Sequence, residues 1–335
     1  MSDGQEKSPF SDSLAAEENG LGIENLNQRL QRYAGAKSRA LDMANYIKTE
    51  DVSNNENRKL VKKLGDCASY LVFKHYYTEN KVILHGMKTC RQQLLCPFCA
   101  LRRAAKHVRA YWDKVATVKA ENPELQLYFV TLTVKDGESL QERFNHLVKA
   151  ERRYKQLRRD ASKGRKFVEY AKAQGGVCSV EFKRGQNSGL WHPHMHMIWL
   201  CSEAPDAHQL SREWEALTGD SFIVDVRPMY GEIDGFLETF KYALKFSDLE
   251  LSDNLHAYKT LKGKRLINSF GALRGVEVPE ELTDEDLDED LPYMMMVYKY
   301  FGGSGYHFTE QSEVTAAEAA CDRLLRAKFK LNNRR

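Results

Sequence analysis

Between Gly189 and Leu200 the chain reads GLWHPHMHMIWL, an alternation that puts Trp191, Met195, Met197 and Trp199 on one parity and His192, His194 and His196 on the other. A period of two belongs to an extended strand, whose successive side chains point to opposite faces. The apolar parity therefore faces a core, and the histidines share the second face. Residues two apart on a strand lie about 6.5–7 Å from one another, so neighbouring imidazoles can converge on one ion. The expectation is a divalent metal held by this face.

With 335 residues, 42% hydrophobic and 29% charged, the chain accommodates one large or two medium domains. No run has the length of a transmembrane helix, which argues against a membrane partner. The opening MSDGQEKSPFSDSLAAEENG lacks the apolar core of a signal peptide, so residues 1–22 are expected to be a disordered lead-in to a cytoplasmic protein. Net charge is +3, yet EVPEELTDEDLDED, Glu277 to Asp290, holds nine acidic and no basic residues, which leaves +12 on the rest. Such a body suits a polyanionic partner, and the acidic run reads as a solvated loop, either an electrostatic gate or a plain surface insertion.

Seven cysteines without an export signal favour free thiols or metal ligands over disulfides. Cys90, Cys96 and Cys99 cluster in CRQQLLCPFC, with Cys67 upstream as a fourth ligand for a structural zinc ion. His75, His85 or His107 could replace a thiol, and the irregular spacing leaves buried, unligated cysteines as the alternative.

Residues 23–66 read as two amphipathic helices, IENLNQRLQRYAGAKSRALDMANYIKTE and NENRKLVKKLGD, and residues 67–105 as a cysteine-rich module. From Leu127 onward the order is a strand LYFVTLTV, a helix SLQERFNHLVKAERRYKQLRRD opened by the capping box Ser139 and Glu142, a strand GVCSVEFK, and the turn RGQNSG. The histidine strand follows, then a helix APDAHQLSREWEALTG, a strand FIVDVRPM and a helix IDGFLETFKYALKFSDL. This β-α-β-β-α-β-α order predicts an α+β domain at 106–275, a ferredoxin-like or RRM-like antiparallel sheet with helices on one face and the other open. An acidic linker at 276–291 and a C-terminal segment at 292–335 follow it. Cys178, Val180 and Phe182 alternate with Ser179, Glu181 and Lys183, so Glu181 takes the histidine side. Across the hairpin it lies opposite His194 or His196, which makes it a candidate carboxylate ligand.

In the last helix Ile233, Leu237, Phe240 and Leu244 fall in one narrow arc, while Glu238 and Tyr242 sit on the opposite side. Their i, i+4 spacing brings Glu238 and Tyr242 together, flanked by Lys241 and Lys245. A tyrosine, with a pKa near about 10, is a poor nucleophile unless its electrophile is activated. A divalent cation activates a phosphodiester by withdrawing charge from its non-bridging oxygens. Attack by the phenolate then leaves a 5′-phosphotyrosine and a free 3′-hydroxyl, and the strand-joining energy is kept. The run KAERRYKQLRRDASKGRK, Lys149 to Lys166, carries nine basic and two acidic residues. It reads as a phosphate-contacting face, with Arg152, Arg153, Arg158 and Arg159, alongside Lys241 and Lys245, as DNA contacts.

FVTLTV at Phe129–Val134, HPHMH at His192–His196 and ETFKYALK at Glu238–Lys245 together resemble plasmid rolling-circle replication initiators of the HUH endonuclease superfamily, in the branch whose tyrosine follows a glutamate by one helical turn. CRQQLLCPFCALRRA resembles the segment before the nuclease core of these initiators, and GKRLINSFGALRG, Gly263 to Gly275, a stretch after it; the resemblance covers roughly residues 67–275. It implies that His194 and His196 ligate the metal and that Tyr242 cleaves one strand at the plasmid double-strand origin, single-stranded at the nick site, staying linked to its 5′ end. Glu238 would be general base for the water of the terminating cleavage, which favours a stop after one round. The metal shell is completed by Glu181 or His192, with Glu181 preferred because His192 must turn through Pro193.

No GxxxxGK[ST] motif is present, so unwinding falls to a host DNA helicase. Two imidazoles and a carboxylate suit Mn²⁺ on ligand softness, whereas abundance favours Mg²⁺. The competing readings are an HUH transposase or relaxase, a zinc-stabilised nucleic-acid-binding regulator without catalysis, and a metal-dependent hydrolase with a water nucleophile. Transposases of that kind are usually much shorter, relaxases tend to carry their tyrosine near the N-terminus, and a regulator leaves Glu238 and Tyr242 unexplained.

Overall fold

Both helical and strand periodicities are realised in the computed structural model, which describes residues 21–50, 53–229, 236, 249–287 and 291–321. In chain order the elements are α1 (Leu26–Glu50), α2 (Asn55–Asp66), β1 (Tyr70–Tyr76), β2 (Lys81–Met87), α3 (Pro97–Glu121), β3 (Gln126–Thr133), α4 (Leu140–Ala161), β4 (Ala173–Arg184), β5 (Trp191–Cys201), α5 (Ala207–Thr218), β6 (Val224–Met229), α6 (Leu251–Leu261), β7 (Ile267–Gly271), β8 (Tyr293–Phe301) and β9 (Gly305–Val314). Local chemistry sets the ends. Asn54 accepts from the Glu56 amide at the start of α2, and Ser139 accepts from the Glu142 amide at the start of α4, as the capping box predicts. α3 opens on Pro97, whose missing N–H costs nothing in a first turn. The helix expected over IDGFLETFKYALKFSDL, with Glu238 and Tyr242, falls outside the described residues except at Phe236 and Leu249.

The chain divides into two units, one comprising Gln93–Leu95 and Arg103–Pro279, the other Ala15–Gln92, Cys96–Arg102 and Glu280–Arg335. In the first, a five-stranded antiparallel sheet runs in the order β6-β3-β5-β4-β7. Its first four strands take the 4-1-3-2 order of a ferredoxin-like sheet, so the fold is the α+β arrangement expected. β7 is an addition, drawn from the GKRLINSFGALRG stretch that sequence patterning had not placed in the sheet. One face carries the apolar parities of three strands: Val130 and Leu132, Cys178, Val180 and Phe182, and Met195, Met197 and Trp199. Against them pack Leu140, Phe144, Leu147 and Tyr154 of α4, Leu210 and Trp214 of α5, and Ala257 and Leu261 of α6. Tyr170 stacks on Trp199 with ring centroids 4.7 Å apart.

The opposite face is not open where the histidines stand. His194 and His196 are 8% and 6% exposed and Glu181 1%. The cue was in the strand itself: Ile198 and Leu200 share the histidine parity, both are fully buried, and a face bearing two large aliphatics needs cover.

The second unit is built on a four-stranded antiparallel sheet, order β2-β1-β8-β9. Each hairpin is local, but β1 pairs β8 from Tyr70↔Lys299 to His75↔Met294, joining segments far apart in sequence. The acidic run, expected to be a solvated loop, is exposed at Glu280, Glu281 and Glu285 but inserts Leu282 and Asp284 into this unit. Buried Arg29 donates to one oxygen of Asp284 at 3.1 Å, buried Arg102 donates to the other, and the Leu84 amide adds a bond of 2.6 Å. Asp286 accepts from Lys74 at 3.1 Å and contacts His85. The correction has a simple cause: two guanidiniums buried on α1 and α3 require an anion, and the acidic run supplies it.

Burial alone would raise the Asp284 carboxyl, but the charges of Arg102 and Arg29 and the Leu84 amide outweigh it and hold the group at about 2, below its ordinary 3.8. A depressed carboxylate contributes stability that is complete above about pH 4 and lost as pH falls through the folded value, here about 2 kcal/mol. Asp284→Ala should therefore cost about 3–5 kcal/mol in urea unfolding at neutral pH, because two guanidiniums lose their counterion, and should flatten the acid limb between about pH 4 and 2. A variant as stable as the parent would return the run to an ordinary surface loop.

Candidate active site and cysteine centre

Strand register builds the histidine site. On β5, His194 is flanked by Thr133 of β3 and Glu181 of β4, and His196 by Thr131 and Ser179. The Thr133 hydroxyl lies 3.2 Å from His194 Nδ1 and the Thr131 hydroxyl 3.1 Å from His196 Nδ1. In the tautomer that frees Nε2 for a metal, each hydroxyl accepts from Nδ1–H, the usual outer support of a metal-ligating histidine; without an ion, the His196 Nε2–H instead donates to Glu181. Glu181 faces His194 in register but reaches diagonally, placing Oε2 2.9 Å from His196 Nε2. Adjacent ligands of an octahedral cation with bonds of about 2.1 Å are about 3 Å apart, so this pair fits two neighbouring positions of a divalent ion. Phe129 stacks on His196 at 5.4 Å between ring centroids and limits the ring's rotation.

The ligand atoms of His194, His196 and Glu181 do not all lie within 4.8 Å of one another, and the centroids of the two imidazoles are 5.7 Å apart. His192 keeps its ring edge-on to His194, with centroids 4.2 Å apart, and its Nδ1 on Asp136 Oδ1, while Ser188 donates to the other Asp136 oxygen. Burial would raise the Asp136 carboxyl, but Ser188 and His192 hold it below its ordinary value. Thr131, Thr133 and Asp136 were not singled out in the sequence as supports. The signal for the threonines was the TxT of FVTLTV, whose parity matches the histidines once β3 is seen to pair with β5.

Tyr242, Glu238, Lys241 and Lys245 lie outside the described residues. Of the basic helix, Arg152, Arg153 and Arg159 are exposed, whereas Arg158 is half-buried and donates to the carbonyls of Ala173 and Gln174 over the Phe270 ring.

In the other unit the sulfurs of Cys67, Cys90, Cys96 and Cys99 lie within 4.8 Å of one another, all buried, and this is the one group of three or more metal-type ligands so close among the described residues. Cys67 to Cys96 is 3.6 Å, Cys67 to Cys99 3.5 Å and Cys90 to Cys99 3.5 Å. Four thiolates at about 2.3 Å from a tetrahedral Zn²⁺ would be about 3.8 Å apart, so the residues fit that ion with a small expansion. No histidine belongs to the group, and His85 contacts Asp286 instead. Backbone strain gives a second sign. Ala68 and Arg91, each following a ligand, take left-handed φ of 49° and 55°, values that cost a non-glycine residue about 1–2 kcal/mol. Hydrogen bonding with Cys67, Cys90 and Cys96, together with the Arg91 amide, holds the Cys99 thiol well below the ordinary thiol range. The bonds with Cys67, together with burial, hold Cys90 and Cys96 high. Buried Lys37 donates to the Leu64 and Gly65 carbonyls beside the cluster; burial lowers its pKa, and the thiols oppose that.

The histidine strand and the thiol cluster also coincide with what the chain is similar to. A "Protein rep" of Streptococcus pneumoniae serotype 2 (strain D39 / NCTC 7466) is 25% identical over 283 residues, 78% of this chain and 83% of that protein. A "Protein rep" of Lactiplantibacillus plantarum is 24% identical over 219 residues, 58% of this chain and 67% of that protein. No solved structure matches. The family model described as "Replication protein" matches residues 81–297, a span that takes in the whole histidine face and every thiol of the cluster except Cys67. Covering more than half of the sequence, that match makes this chain a member of the replication protein family.

Proposed function

We propose that this chain is a plasmid rolling-circle replication initiator, a metal-dependent endonuclease that nicks one strand of the plasmid origin and becomes joined to its 5′ end through Tyr242. The observation that carries the reading is the Glu181–His196 pair, backed with His194 by the hydroxyls of Thr131 and Thr133, in a member of a replication protein family. His194, His196 and Glu181 would hold the ion; His192, turned toward Asp136, is the weaker claimant to the third place. A divalent cation there, Mn²⁺ or Mg²⁺, would withdraw charge from the non-bridging oxygens and orient the scissile phosphate.

The remaining steps belong to the protein. The Tyr242 oxygen forms a bond to phosphorus as the bond to the 3′ oxygen breaks; the phenol proton is lost and a proton is gained by the leaving 3′ oxygen. One phosphoester replaces another. Glu238, one turn away, takes a proton from the water that hydrolyses a later phosphodiester at termination. Lys241, Lys245, Arg152, Arg153 and Arg159 contact phosphates, with Arg158 mainly holding the carbonyls of β4. A host helicase supplies unwinding, and the four cysteines hold a structural Zn²⁺.

The test is incubation of the purified chain with single-stranded DNA bearing its replicon's origin and Mn²⁺, followed by a denaturing gel and peptide mass analysis. A DNA adduct on the peptide containing Tyr242 is expected. Binding without cleavage at a correct origin would transfer the assignment to a zinc-stabilised regulator. Multiple rounds of transfer through another tyrosine would favour a transposase or relaxase.

A further inference from the structure

A groove of about 480 Å³ lies on the helical side of the five-stranded sheet, between α4 and the turn joining α6 to β7. It is lined by Phe144, Val148, Lys149, Arg152, Lys264 and Arg265 among others. Helical phase explains one wall. Phe144, Leu147, Ala150 and Tyr154 turn into the core, so Lys149 and Arg152, three residues apart, stand together on the outer side. The second wall is local as well: the Lys264 amide donates to the Leu261 carbonyl in the turn that ends α6, which sets Lys264 and Arg265 side by side at the groove. No carboxylate lines the groove. None of its four cations makes an ion pair among the described residues, whereas nearby Lys155 is paired with Glu151 and Arg165 with Asp160.

Four uncompensated cations around a concavity raise the local potential more than the same charges spread over a convex surface. The apolar floor offers little to a protein partner, because Phe144 is only 6% exposed and gives neither an interface anchor nor a ring for base stacking. We infer that the groove seats a stretch of DNA phosphate backbone remote from the strand at the histidine face, which stands on the other side of the sheet. This rests on the DNA-nicking reading above. Its grip is independent of sequence and strongly dependent on salt, since phosphates position without specifying. It would let the protein hold DNA beyond the cleavage site while the scissile strand occupies the histidine face.

The experiment compares the full chain with Lys264→Glu/Arg265→Glu on a duplex and on a single strand of about 30 nucleotides, between roughly 50 and 200 mM salt. Affinity at the low-salt end should fall at least about tenfold, and the slope of log K against log salt should become shallower by about 2, because two phosphates are no longer neutralised. Weaker binding to the duplex marks the origin flank as the occupant, and weaker binding to the single strand marks the displaced strand. Because charge reversal can unsettle the turn, Lys264→Gln/Arg265→Gln is measured in parallel and should lower the slope by a similar amount. A slope within about 0.5 of the parent's, with affinities within about twofold, on both DNAs would overturn the groove. Adduct formation on a short origin oligonucleotide separates the two readings. A parent chain that forms no Tyr242 adduct, with DNA binding still weakened in the variants, defeats the nuclease and leaves the groove standing; a parent that forms the adduct, with binding untouched in the variants, defeats the groove alone.

Discussion

Tyr242→Phe is expected to abolish the covalent DNA adduct and to lower strand cleavage by on the order of 10⁴-fold, while leaving DNA affinity within about twofold. Phenylalanine keeps the ring and deletes only the hydroxyl, so folding and phosphate binding should be preserved. The measurement pairs a cleavage time course with a binding isotherm on the same origin strand. Cleavage at the parental rate would remove the tyrosine from the mechanism and favour a hydrolase with a water nucleophile on the same histidine face. Glu238→Ala makes the contrast sharper, since it should keep the first cleavage and lose hydrolytic termination; equal loss of both steps would give that glutamate another task.

The second large effect lies in the other unit. Cys99→Ala should eliminate bound zinc and lower the unfolding free energy by about 5 kcal/mol or more, a fraction of the roughly 10–16 kcal/mol that a thiolate site contributes to small domains that fold only with their ion. Cys99 is the informative choice, because its sulfur lies 3.5 Å from both Cys67 and Cys90 and also receives the Arg91 amide. Chelation of the parent should reach the same stability as the variant. A parent that contains no zinc by elemental analysis and is indifferent to chelator would leave the four sulfurs as ordinary core thiols. In that case the left-handed backbone at Arg91 would have no compensating bond to a metal-bound sulfur.

Features with short-range causes could be read from the residues. Alternation placed β4 and β5 and put Glu181 on the histidine side; the capping box at Ser139 and the helical stripes placed α4 and α5. Features that depend on pairing between distant segments could not. The role of Thr131 and Thr133 follows from the β3–β5 register, which no local pattern specifies. The acidic run looked like solvated charge because its partners, Arg29 and Arg102, sit far from it in the chain and look like ordinary surface arginines within their helices. The diagonal reach of Glu181 to His196 rather than to its registered neighbour is a rotamer choice. The burial of the histidine face could have been suspected from Ile198 and Leu200, which the metal hypothesis passed over.

The pairing of β1 with β8 also orders events on the ribosome. The first unit lies, in sequence, almost wholly between the two halves of the second. Its sheet can close as soon as β7 has been synthesised, and the cysteine ligands, all before residue 100, are made earlier still. The second sheet must wait for β8, and until then β1 presents an unsatisfied edge with Phe73 and Leu71 awaiting cover, a natural target for chaperones. A chain cut short before Tyr293 would therefore keep the histidine strand and lose the partner of its N-terminal hairpin, so that β8 must be translated before the nascent protein escapes quality control.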